Sequence, residues 1–109
     1  MPRHLPYRLT TQTGEVIDFE FDLHPDTGSA IRVNQLLSAV LQTLDREIRV
    51  LGETSNGDVL QALAMALAAR ARMIHAPVEQ TANLARELVS EALRGGSAGR
   101  AEGGITGHG

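Results

Sequence analysis

The chain has 109 residues, of which 42% are hydrophobic and 21% charged, with a net charge of −3. That balance fits one small globular domain. It excludes a collagen-like chain, a wholly disordered chain and a strongly basic nucleic-acid binder. The absence of cysteine removes disulfide scaffolds, thiolate zinc sites and cysteine nucleophiles, and because all ten cations are arginine, lysine chemistry is removed as well.

The first residues, Met1 to Pro6, hold no apolar run of signal-peptide length. Leu5, Tyr7 and Leu9 then alternate with Pro6, Arg8 and Thr10, and Ile17, Phe19, Phe21 and Leu23 alternate with Asp18, Glu20 and Asp22. Period two is the strand signature, so the opening reads as a β-hairpin. A two-residue Thr13-Gly14 loop would set Leu9 opposite Asp18 and mix the faces. A three-residue loop, Gln12-Thr13-Gly14, sets Leu9 opposite Ile17, Tyr7 opposite Phe19 and Leu5 opposite Phe21. It also places Gly14 in the left-handed position of a turn with a bulge. The second register is the expected one.

Pro25 to Ser29 form a breaker cluster, and a helix is predicted over 30–51. At 100° per residue, Val33, Leu36, Leu37, Val40, Leu41, Leu44, Ile48 and Leu51 fall within an arc of about 140°. Gly52 is the expected stop. Ser55 and Asp58 form a capping pattern that opens a second helix, predicted to run to about His75. Its stripe is Val59, Leu60, Leu63, Leu67 and Ile74, and much of the rest is alanine with Met65 and Met73. So little polar surface predicts a central helix with neighbours on more than one side. The apolar stretch 59–74 is interrupted by Gln61, Arg70 and Arg72, too short and too charged to span a membrane. Pro77 is placed at the first position of a third helix. The inner face of that helix is Val78, Ala82, Leu84, Ala85, Leu88, Val89, Ala92 and Leu93, and Gly95-Gly96 is its expected end. The stretch 95–109 contains seven glycines and one large apolar residue, and reads as a disordered tail.

The predicted class is α+β: an N-terminal β-hairpin followed by three helices packed on one face, a single domain over 1–94, and the tail. About 94 folding residues give marginal stability, which self-association would raise. Pro6 blunts one sheet edge, and the second strand has nothing to blunt the other.

The candidate binding residues fall into two sets. Asp18, Glu20 and Asp22 form an acidic row on the outer strand face, about 6.6 Å apart along the strand. A line of carboxylates does not converge on a cation, so the row reads as solvated surface or as a docking face for a basic partner. Glu47 and Arg70 are charges inside apolar stripes. In an antiparallel helix pair they are offset by roughly 12 Å, too far to touch. Each is expected to reach the rim or another partner, with Glu79 available to Arg70.

Arg70, Arg72 and His75 sit where cations complement a helix C-terminus. His4, His24, His75 and His108 show no zinc-ligand spacing, and there is no nucleophile elbow, P-loop or His-Glu-x-x-His motif. No catalytic residue, metal site or cofactor is therefore assigned. A nucleic-acid role for the third helix through Arg86 and Arg94 is opposed by Glu79, Glu87 and Glu91.

The expected function is a small non-enzymatic interaction or regulatory module in the cytoplasm, self-associating as a homodimer through the second and third helices or the strand edge and able to take a protein partner, with no membrane. One alternative is a small-molecule binder or minor enzyme whose pocket forms between subunits, lined by Met65, Met73 and Arg70. The other is an acidic inhibitor or mimic from a mobile element, acting on a basic partner through Asp18, Glu20 and Asp22.

Overall fold

The computed structural model describes residues 3–99. Its elements are β1 (Arg3–Thr10), β2 (Val16–Leu23), α1 (Ala30–Leu51), α2 (Asn56–Arg72) and α3 (Val78–Gly99). This is the predicted α+β order of an antiparallel hairpin followed by three helices. The described residues group into two compact units. One holds the residues up to Asn34 together with those from Leu88 onward. The other spans Gln35–Glu87.

In the hairpin unit the register is the one the turn dictates: Leu9 faces Ile17, Tyr7 faces Phe19 and Leu5 faces Phe21. Thr11 N–H donates to Glu15 O at 2.8 Å and Gly14 N–H to Thr11 O at 3.0 Å. The Thr11 hydroxyl accepts from Glu15 N–H at 3.0 Å. Gly14 has φ +89°, a left-handed conformation that costs glycine nothing and an L side chain about 1–2 kcal/mol. The inner face carries Leu5, only 7% exposed, and a stacked Phe19–Phe21 pair with ring centroids 5.1 Å apart. Arg3 Nη2 donates to Thr27 O at 2.6 Å and ties the start of β1 to the breaker loop.

Helix α3 does not stop at Gly95-Gly96; it continues to Gly99. Gly95 is buried, and a Cβ built on it would lie 2.8 Å from both Glu20 O and Phe21 Cδ1. This glycine therefore lets the helix backbone approach the β2 backbone, a role that outweighs its low helix propensity. Of the stretch read as a tail, 100–109 lies outside the described residues.

Helix α1 starts where Ser29 Oγ accepts from Arg32 N–H at 3.1 Å, and it ends at Gly52, whose φ is +92° and whose N–H donates to Ile48 O at 2.9 Å. In the Gln35–Glu87 unit its predicted apolar arc is covered on one side only. Leu37, Leu41, Leu44 and Ile48 are half-buried, whereas Leu36, Val40 and Leu51 are exposed.

Helix α2 is capped by Ser55, whose hydroxyl accepts from Asp58 N–H at 3.1 Å. It ends three residues before His75. Met73 N–H turns back to Arg70 O and Ile74 N–H to Ala71 O, bonds that tighten the last turn before Pro77. Pro77 precedes α3, and its carbonyl accepts from Thr81 N–H at 3.2 Å. The central position expected for α2 is not found: none of its residues is buried, and only Val59, Leu63 and Ala71 are partly covered. On α3 the most buried side chain of this unit is Thr81, 6% exposed, whose hydroxyl donates to Val78 O at 3.1 Å. The large apolar residues predicted to line α3's inner face include Val78, which is exposed.

Candidate functional site

The outward face of the hairpin is an electrostatic ladder rather than a bare acidic row. The register that pairs the apolar residues also sets Arg8 opposite Asp18, Pro6 opposite Glu20 and His4 opposite Asp22. Arg8 holds Asp18 in a fork, with Nε donating to Oδ1 at 2.7 Å and Nη2 to Oδ2 at 3.0 Å. That hydrogen bond, aided by the positive charge, keeps the Asp18 carboxyl below its ordinary pKa and raises that of Arg8. His4 Nδ1 lies 2.8 Å from Asp22 Oδ1. Glu20, opposite a proline, is exposed and has no side-chain ion pair among the described residues. Two of the three candidate carboxylates thus carry cationic or imidazole partners across the strand pair. Among the described residues no group of three or more His, Asp or Glu side chains is arranged to hold a metal ion.

The second candidate set stays apart. Glu47 is exposed on α1, in the direction between Leu36 and Val40, and makes no ion pair among the described residues. Arg70 is exposed near the end of α2, and its Nη1 donates to Met73 Sδ at 3.2 Å instead of pairing with Glu79. Neither arginine nor glutamate is held in an enclosed site.

What the Gln35–Glu87 unit does present is open apolar surface. Val50 is 77% exposed, Leu60 67% and Met65 61%. On α2 the whole side opposite the Val59–Leu63 stripe is exposed, and it is built from alanines, Met65 and Gln61, with Asp58 at one end and Arg72 at the other. The sequence shows the scarcity of polar residues there and predicts a surface covered both by neighbouring helices of the chain and by a second copy. No helix among the described residues is long and apolar enough to cross a membrane.

Comparison of the chain with protein-family models, with curated proteins and with solved structures returned no match.

Proposed function

We propose that this protein is a non-enzymatic interaction module that acts as a homodimer, with the cytoplasm as its setting. One observation carries the reading: helices α1 and α2 bury no residue. Ten large apolar residues between Gln35 and Glu87 are exposed, Val50, Leu51, Leu60 and Met65 the most prominent among them. They lie on more than one side of α1 and α2 and in the turn before α3 or at its start, so the reading rests on how many large apolar side chains of one small unit are left in contact with water. A small domain with few buried side chains gains stability by joining another copy.

Sedimentation equilibrium on the full chain tests this. The expected mass is twice 11.7 kDa. A mass of 11.7 kDa across the accessible concentration range overturns the homodimer.

A further inference from the structure

The exposed side of α2 has an internal symmetry. Asp58, Met65 and Arg72 are spaced by seven residues, so all three lie within about 40° of one another around the helix. Residues equidistant from Met65 also share this side: Ala62 with Ala68, and Gln61 with Ala69. Every one of these seven residues is exposed. The surface therefore reads acid, Gln61 and Ala62, Met65, Ala68 and Ala69, base, so that across a two-fold axis the longer Gln61 meets the small Ala69. Reversing the helix direction turns this pattern into its own electrostatic complement.

We propose that α2 packs antiparallel against α2 of a second copy, on a two-fold axis at Met65, with Asp58 of each copy facing Arg72 of the other. This rests on the homodimer reading above and specifies one seam of it, which covers Met65 and leaves Leu60 and Leu67 on another side of α2. An isologous contact requires a surface complementary to itself, and this one is complementary in both shape and charge. The alanines on either side of Met65 let two helix axes come to the short end of the usual 8–10 Å separation. Met65 supplies the flexible apolar contact at the axis. Asp58 and Arg72 are free to serve because neither side chain makes an ion pair within its own chain among the described residues. A parallel pairing would set Asp58 against Asp58 and Arg72 against Arg72, so the charges select the antiparallel arrangement.

Two experiments on the full chain test the seam. The protein has no cysteine, so a single introduced thiol reports cleanly. Met65→Cys is expected to form an intermolecular disulfide rapidly under mild oxidation. Leu60→Cys, exposed on another side of the same helix, is the control and is expected to cross-link far more slowly. The second experiment mixes two charge-reversed chains. Asp58→Arg and Arg72→Asp should each self-associate about tenfold more weakly than the natural chain, since each homodimer would carry two like-charge contacts. Mixed together, they should form a heterodimer in preference to either homodimer, because both contacts become attractive again.

A dimeric natural chain in which Met65→Cys cross-links no faster than Leu60→Cys, or in which the two variants show no preference for each other, overturns this seam while leaving the homodimer standing. A natural chain that stays monomeric overturns both.

Discussion

The hairpin and the helical stretch Gln35–Glu87 solve the same problem to different degrees. In the hairpin each strand completes the other. The register that brings Leu5, Tyr7 and Leu9 against Phe21, Phe19 and Ile17 also pairs Arg8 with Asp18 and His4 with Asp22 on the outer side. In the helical stretch the caps are good and the stripes are clear, yet no residue of α1 or α2 is buried. Local signals are sufficient to shape an element. Whether its apolar surface is covered depends on what else is present to cover it.

The sharpest way to break that contrast is at Gly95. Replacing it with Val puts side-chain atoms where Glu20 O already lies 2.8 Å from an ideal Cβ. Because the obstacle includes backbone, about 2–3 kcal/mol of stability should be lost, read by urea denaturation. Gly95→Ala should also destabilise, although alanine improves helix propensity by about 1 kcal/mol. A neutral or stabilising Gly95→Ala would show that α3 does not depend on close approach to β2. Next in size is Leu5→Ala. Removing the buried leucine of β1 should cost about 2–3 kcal/mol by the same measurement, near the low end for leucine because the site is not sealed on every side.

In the helical stretch a smaller effect is expected from the cap. Ser55→Ala removes the hydroxyl that accepts from Asp58 N–H and should lower stability by about 1 kcal/mol, with Ser55→Asp retaining most of it. The smallest effect concerns the ladder. Asp18 should titrate below the ordinary carboxylate value, and Arg8→Ala should move it back up, as followed by the carboxyl carbon shift in NMR. A carboxylate with a depressed folded-state pKa stabilises the fold above its unfolded pKa, and the contribution is lost as the pH falls through the folded pKa. Below neutrality, therefore, Arg8→Ala should flatten the acid side of the stability curve. No shift at Asp18 in the variant would remove the fork as its cause.

The hairpin was legible because its turn is short and its alternation strict. Gly14 admits one register that keeps the apolar face whole, and that register is present. The helix start after the Pro25–Ser29 breaker, the start at Ser55 and the stop at Gly52 were legible for the same local reason, whereas the cap that Ser29 supplies was not read. The partners of the acidic row went unremarked because β2 was read without β1, although the register already implied Arg8 opposite Asp18 and His4 opposite Asp22. Gly95 was read as a stop because a glycine that ends a helix and one that admits a neighbouring backbone look identical in one dimension. The distinction lies in Glu20 and Phe21, more than seventy residues away in the chain. The apolar surface of α2 was recognised from composition, but composition does not say whether the chain itself or another copy covers it.

Amide hydrogen exchange as a function of protein concentration addresses this difference between the two regions most directly. If α2 is completed by a second copy, protection of the amides around Met65 rises with chain concentration, while that of the β1–β2 ladder, which is paired within one chain, changes far less. Protection of α2 that is the same at every concentration would contradict a self-associating helix and leave its exposed side without a second copy to cover it.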